Sequence, residues 1–435
     1  MVEEIKNRVV VTGLGVISPV GIGKQSFWAS MIEGKSGIGR VTRFDSTPYP
    51  SKIAAEVKDF DPESFFDKKE AKRMDRFAQF GLAAAKMAVE DAGLKLEEVD
   101  PERVGVVIGS GIGGIETLEQ QVRVLVARGP GRVSPFLIPM MINNMVAGQM
   151  AITLGLKGPN FTVVTACASG TNAIGEAFRM LQRGEVEVVF TGGTEAPITE
   201  IAFAGFCSMR AMSTSNDEPT FASRPFDKNR DGFVIGEGAG ILILETLSHA
   251  IRRGASIYCE VAGYGTTADG YHITAPDPEG AGAARAITLA LQDAGISPQS
   301  VDYINAHGTS TELNDRIETM AIKKALGDHA YRVPVSSIKS MIGHLMGASG
   351  AVGAISTVMT ISTGWVPPTI NYRVPDPECD LDYVPNRARE VPVNVALCNS
   401  FGFGGHNAVL VFKKYVGNCS EVANGETGRR QQALF

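Results

Sequence analysis

The sequence predicts an α/β protein built from two copies of one unit. Three observations carry that reading. Strand-like and helix-like stretches alternate along the chain. Residues 161–181, FTVVTACASGTNAIGEAFRML, change period at Cys167. A β-branched run (Thr162, Val163, Val164, Thr165) gives way to Ile174, Ala177, Phe178 and Leu181 at i, i+3, i+4 and i+7, which reads as strand, sharp turn, then helix with one buried stripe. Finally, the chain echoes itself in order.

The strand VVTGLG at 10–15 returns as EVAGYG at 260–265, and the helix end AVEDAGL at 88–94 returns as ALQDAGI at 290–296. Each helix end leads into a strand that stops at a polar turn, 104–110 closing on Ser110 and 301–307 closing on His307. The Ala168-Ser169-Gly170 opening of the central helix returns as Ala348-Ser349-Gly350, and the strand at 186–192 returns as 394–400. One glycine turn can be shared by chance; several in the same order point to duplication. The expected halves are residues 1–255 and 256–415. Residues 416–435, polar and without period, read as a disordered tail in which Cys419 is incidental.

The first two echoes lie 250 and 202 positions apart, so the first half carries about 48 extra residues, mostly between 20 and 72 and including FDSTPYPSKIAAEV. A second insertion, about 115–160, holds PFLIPMMINNMVAGQMAI, which is too apolar to stay exposed and is expected to cover a partner subunit.

With 435 residues, 44% hydrophobic and 20% charged, the chain is long enough for two or three domain-sized units. A net charge of −6 argues against wholesale nucleic-acid binding. Six cysteines without C-x-x-C pairs suggest neither zinc nor a disulfide framework. No apolar run approaches the roughly 20 residues that span a bilayer, and the N-terminus has no signal or transit character. The expectation is a cytoplasmic protein, or the mature form of an organelle protein, without membrane contact.

Cys167 sits at a strand–helix switch. A helix N-terminus carries unpaired N–H groups and partial positive charge, which favours thiolate, the nucleophilic form. The alternative is a small buried cysteine ending a strand. His307 closes a strand in INAHGTST, and His344 opens the second apolar helix in KSMIGHLMGASGA. A histidine near a helix N-terminus tends to stay neutral and can then donate Nε2–H to a developing oxyanion; the alternative is two turn-capping histidines. Duplication would bring the turns carrying Cys167 and His344 together, with His307 beside them and Lys339 adding charge. SFGFGGH at 400–406 suits an oxyanion hole or a gate with phenylalanine as the door. Residues 268–282 read as a long mobile loop. The basic run 68–76 places positions 69, 72, 73 and 76 on one helical face, either a solvated face or a docking patch for an acidic partner.

With these motifs quoted, and with ASRPFDKNRDGFVIGEGAG from Ala222 and NSFGFGGHN from Asn399, residues 7 to 414 resemble the β-ketoacyl-acyl-carrier-protein synthases of the condensing-enzyme (thiolase-like) superfamily, in particular the elongating type II enzymes of fatty-acid synthesis. The resemblance implies a five-layered αβαβα fold from two similar halves, a homodimer, and a decarboxylative Claisen condensation between acyl and malonyl groups carried on acyl carrier protein. Beyond that carrier's phosphopantetheine it implies no cofactor, and no metal is expected because Gly353 stands where the family usually has a glutamate. It implies that Cys167 carries the acyl group, that His307 and His344 serve the malonyl group, and that Lys339 is the family's active-site lysine. The Cys167 and Phe403 N–H groups would form the oxyanion hole. Thr309, Thr311, Ile112, Phe401, Phe403 and the Tyr271-His272 loop would contact substrate, with Phe403 as gate. Lys69, Lys72, Arg73 and Arg210 would face the carrier protein. Two positions depart from the family: Glu312 stands where proline is usual, and Gly353 where glutamate is usual. Three other readings remain: a polyketide ketosynthase, a non-catalytic chain-length partner, which would usually lack the cysteine, and a thiolase, which would place a second reactive cysteine near the C-terminal glycine loop, where Cys398 lies.

Overall fold

A computed structural model describes residues 7–417; the expected tail beyond 417, with Cys419, lies outside the described residues. The principal strands are β1 (Val9–Ser18), β2 (Val104–Gly109), β3 (Asn160–Val163), β4 (Val188–Glu195), β5 (Gly238–Thr246), β6 (Cys259–Ala268), β7 (Tyr303–Asn305), β8 (Val335–Ser336), β9 (Val395–Gly402) and β10 (His406–Lys413). The helices that matter here are α1 (Arg76–Ala92), α2 (Ile115–Arg128), α3 (Met145–Leu154), α4 (Ser169–Gln182), α5 (Ala281–Ala294), α6 (Glu312–Leu326) and α7 (Ser349–Thr363).

The strands run β8-β7-β9-β10-β6-β1-β5-β4-β2-β3. The start of β1 pairs with both sides, Val9 opposite Thr246 and opposite Val261, and so joins two five-strand halves. Each half has the same pairing: β1-β5-β4 antiparallel then β4-β2-β3 parallel, matched by β6-β10-β9 antiparallel then β9-β7-β8 parallel. Helices α1 and α3 cover the outer face of one half, α5 and α6 the outer face of the other, and α4 and α7 lie between them. This gives the five layers αβαβα, with the echoed segments in matching places. Both echoed helix ends close on a left-handed glycine, Gly93 (φ 55°) and Gly295 (φ 63°), a conformation a side chain would strain.

The single apolar stripe expected on α4 proves too narrow. Because a sheet presses on each side, Ser169 through Gly175 are buried together with Ala177, Phe178, Met180 and Leu181, and α7 is buried from Ser349 through Ile361. The shared Ala-Ser-Gly opening now has a reason. A Cβ on Gly170 would lie 2.9 Å from the Gly347 carbonyl, and one on Gly350 would lie 2.0 Å from Thr171 Oγ1. Only residues without a side chain let the two helix starts cross this closely.

The first insertion does not remain a loose loop. It delivers Val41, Phe44, Tyr49 and Ala54 into an apolar cluster with Cys167, Phe203, Phe233 and Met346. The second insertion forms α2, a short helix Leu137–Met141 and α3, and leaves large apolar side chains exposed, among them Val126 (82%), Ile138 (56%) and Ile152 (74%). The basic run does not form one helical face. Lys68–Ala71 is a single short helix, the chain turns, and α1 begins at Arg76. Arg76 leaves the exposed set and pairs with buried Glu237 at 2.8 Å, whereas Lys69, Lys72 and Arg73 stay exposed.

Candidate active site

Two matching turns build the site. After β3 the chain turns at Ala166, whose φ of 49° is unusual for a residue with a side chain. Cys167 occupies the single tight turn Ala166–Ala168 ahead of α4. Ser169 stitches that turn, donating from Oγ to the Ala166 carbonyl (2.6 Å) and accepting from the Thr165 amide (2.9 Å). In the other half Met346 repeats the left-handed φ (46°), followed by the turn Met346–Ala348 ahead of α7. The counterpart of Cys167 is thus Gly347, and His344 lies three residues earlier. Such strained backbone is maintained only where packing over-determines it.

His344 is oriented by its own turn. The Met346 amide donates to its Nδ1 (3.1 Å), with Ser349 Oγ 2.9 Å away. An amide can only donate, so the neutral ring carries its proton on Nε2. The amides of His307 and Gly308 donate to the two carboxylate oxygens of Glu318 (2.8 and 2.7 Å), and His307 Nδ1 is buried without a partner among the described residues. The two imidazoles stand 5.4 Å apart in edge-to-face arrangement, with Phe401 5.8 Å from His307 and Phe233 5.5 Å from His344. Burial, followed by the Lys339 charge, holds both rings well below the usual imidazole value. They are therefore neutral as expected, but burial rather than a helix dipole is the main cause.

The thiol departs from expectation. Burial pushes Cys167 from 9.0 up to about 11, with Lys339 and the Phe403 N–H pulling the other way. The amide of Phe403 is aimed at the sulfur. Gly402 allows that approach: a Cβ there would lie 2.8 Å from the Thr165 carbonyl and 3.1 Å from the Cys167 nitrogen. Cys398 takes no part. It is buried in the core, its Sγ facing the Gly350 carbonyl at 3.8 Å and its thiol pushed up to about 12.

A cavity of about 520 Å³ brings together Cys167, His307, His344, Thr309, Thr311, Ile112, Phe401 and Phe403, with Arg210 at the rim. The Thr309 and Thr311 hydroxyls bond each other at 2.8 Å. Two expected residues are not brought in. Lys339 is buried behind the wall and donates from Nζ to the His307 carbonyl (2.6 Å). His272 is exposed and turned to its own loop, its Nδ1 accepting from the Thr274 and Ala275 amides; those two residues, rather than His272, reach the cavity. Lys69, Lys72 and Arg73 also lie away from the cavity. Arg73 stacks over the Phe136 ring at 5.0 Å.

Both departures have local explanations. Glu312 is the first residue of α6, where an acidic side chain faces the positive helix end and where proline is also favoured. Gly353 sits where a Cβ would meet Asn305 Oδ1 and Cys398 Sγ at 3.3 Å each, so a glutamate there would require both neighbours to give way.

The description "Beta-ketoacyl synthase, N-terminal domain" matches residues 6–250, and "Beta-ketoacyl synthase, C-terminal domain" matches residues 258–373. The chain belongs to the β-ketoacyl synthase family. It is similar to the 3-oxoacyl-[acyl-carrier-protein] synthase 2 of Synechocystis sp., 58% identical over 94% of this chain and 99% of that one. It is also similar to the enzyme of that name from Staphylococcus aureus, 55% identical over 94% and 98%. Among solved structures, the ishigamide ketosynthase/chain length factor matches with a TM-score of 0.89 at 39% identity, covering 94% of this chain and all (100%) of that one. A ketosynthase held with its type II polyketide acyl-carrier protein matches at 0.88 and 36%, over 94% and 100%.

Within this family site, sequence reasoning missed the buried acids. Glu318 on α6 holds the His307 turn and also accepts from Asn399 Nδ2 (3.1 Å). Asp315 accepts from the Phe226 amide (2.8 Å) and lies 3.7 Å from Arg230. Arg230 in turn donates to the Thr311 and Glu312 carbonyls, fixing the segment that carries the two threonines. Glu195 ends β4 behind Cys167. The one available signal was FTGGTE, an apolar strand closing on a carboxylate.

Proposed function

We propose that this chain is a 3-oxoacyl-[acyl-carrier-protein] synthase of fatty-acid elongation, working through an acyl-cysteine. The observation that carries the reading is the convergence, in one cavity, of a thiol faced by a backbone N–H with two neutral imidazoles. The Cys167 sulfur attacks the acyl thioester, the acyl group moves to sulfur, and the carrier leaves as its free thiol with the cysteine's proton. N–H groups of Cys167 and Phe403 receive the oxyanion. Malonyl-carrier then loses carbon dioxide, His344 Nε2–H and the His307 ring stabilise the enolate oxygen, and the new carbanion bonds to the acyl carbonyl carbon. Cys167 leaves as thiolate and takes one proton from solvent. Lys339 acts through charge, disfavouring imidazolium and favouring thiolate. Thr309 and Thr311 hold the pantetheine arm, and Ile112, Phe401 and Phe403 bound the chain.

Exposed Lys69, Lys72 and Arg73, with Arg210 at the rim, suit an acidic carrier protein. A second copy of this chain suits the edge of β3, unpaired among the described residues, together with exposed Val126, Ile138 and Ile152. We assign the halves to 1–255 and 256–415, no resident cofactor or metal, and the cytoplasm; among the described residues no helix is long and apolar enough to cross a membrane. Polyketide synthesis is the second reading, favoured by the solved neighbours; the 58% relative, against 39% for the ishigamide enzyme, weighs for fatty-acid elongation. Mass spectrometry after incubation with acyl-carrier protein should place the acyl group on Cys167. Acylation persisting in Cys167→Ala would refute the assignment.

A further inference from the structure

Glu195 is the last residue of β4 and has no exposed surface. It does not line the cavity. Its Oε1 accepts from Ser110 Oγ (3.0 Å) and from the amides of Ile112 (3.0 Å) and Gly113 (3.1 Å). Its Oε2 accepts from the amides of Gly111 (2.7 Å) and Gly347 (2.9 Å). Successive amides 111–113 thus wrap one carboxylate, and a fourth arrives from the other half of the molecule, from the turn that leads into α7. A buried carboxylate satisfied by so many donors is a rigid fixture, because each lost bond would leave an orphaned polar group. Packing is equally tight: a Cβ on Gly347 would sit 2.6 Å from Glu195 Oε2 and 2.5 Å from the Gly111 nitrogen.

We propose that Glu195 is a positioning residue for chain-length specificity, clamping the 110–113 turn against the Gly347 turn so that Ile112 stands at a fixed depth in the acyl cavity. This rests on the acyl-cysteine reading above. Ile112 is the side chain that the clamp presents to the cavity beside Cys167; the acid behind it sets where that wall stands. The clamp also has an electrostatic side: burial lifts the Glu195 carboxyl, the four donating amides pull it back down, and in its charged form it opposes thiolate formation at Cys167.

The test is Glu195→Gln. The amide keeps the volume, but its NH2 must face either the Gly111 and Gly347 amides or the Ser110, Ile112 and Gly113 donors, donor against donor. The readout is the rate at which Cys167 gains mass from short and long acyl-carrier proteins. The wall is expected to loosen, raising the long-to-short rate ratio roughly threefold, about one hydrogen bond's worth. In an Ile112→Ala background the same substitution should add nothing, because it acts through that side chain. Glu195→Gln should also speed alkylation of Cys167 by iodoacetamide at mildly alkaline pH, because the opposing charge is gone; the dependence on Ile112 is what a merely structural role would not show. An unchanged length profile, or an equal shift with and without Ile112, would overturn the proposal. Should Glu195→Gln fail to fold, Ser110→Ala decides: it removes one donor and should move the ratio in the same direction, and a flat profile there overturns the clamp. Wild-type protein that never acylates at Cys167 would instead overturn the acyl-cysteine reading, and the clamp with it.

Discussion

The resting state of Cys167 gives the sharpest test of the site. Two effects compete at this thiol. A helix N-terminus favours thiolate by about 1 kcal/mol, rarely more than 2. Burial works against it, and the net rise from 9.0 to about 11 corresponds to roughly 3 kcal/mol in favour of the thiol. Burial therefore wins, and the free enzyme holds a protonated cysteine. Alkylation by iodoacetamide reports the thiolate fraction. With a midpoint near 11, the rate should climb about 100-fold between pH 7 and pH 9. A thiol at the ordinary 8.5 would climb only about 25-fold, and one depressed to 7 only about twofold. The assay is stopped-time alkylation with mass detection at Cys167. Lys339→Met removes a charge that favours thiolate, so it should slow alkylation at every pH in that range. A rate that levels off below pH 8.5 would refute the dominance of burial and point to a thiolate–imidazolium pair.

Further expectations follow from the same geometry. Both imidazoles are held well below 6.5, so their carbon-13 resonances should not titrate between pH 6 and 8. A depressed histidine makes the unfolded state bind more protons, so stability is intact above the unfolded value and falls as pH drops below about 6.5. Replacing His307 and His344 by asparagine should flatten that decline by up to about 2.7 kcal/mol between pH 7.5 and 5.5, read from urea melts. Arg230→Met strands buried Asp315 and frees the Thr311 and Glu312 carbonyls, and should cost about 3–5 kcal/mol in urea melts. Val126→Asp places a charge on the most exposed apolar side chain of α2 and should shift sedimentation of the proposed dimer towards monomer while leaving the monomer's circular dichroism unchanged.

The sequence was most legible where a local rule coincided with the global plan. The period change at Cys167 and the repeated Ala-Ser-Gly marked both helix starts of the central layer. The order of echoes gave the duplication, because matching turns must meet when two like halves pack face to face. What escaped were properties created by burial itself. Nothing in the spacing of Asp315 or Glu318 distinguishes them from solvated acids, and Glu195 shows only as the carboxylate that closes FTGGTE, since their role depends on groups brought from distant turns. Arg76 looked like one of four basic residues on a face because helical periodicity was extended through a stretch where the chain turns. The thiol was misjudged for a related reason: a dipole is readable from position in the chain, whereas desolvation is readable only once the surrounding layers are in place.

The central layer also constrains how the chain can be made. Most of α4 and α7 is buried, with only Glu176, Arg179 and Gln182 of α4 and the last turn of α7 reaching water, and each is covered partly by strands from the other half. During synthesis, α4 emerges far ahead of β6, β9 and β10, which close over it. The growing chain must therefore leave the apolar helix α4, with Cys167 at its tip, only partly covered until some two hundred more residues have been added. Such long-range closure is slow and prone to aggregation. Truncation after the first half should accordingly yield an insoluble or chaperone-bound fragment rather than a smaller working unit, and co-expression of the two halves should be the route to soluble material.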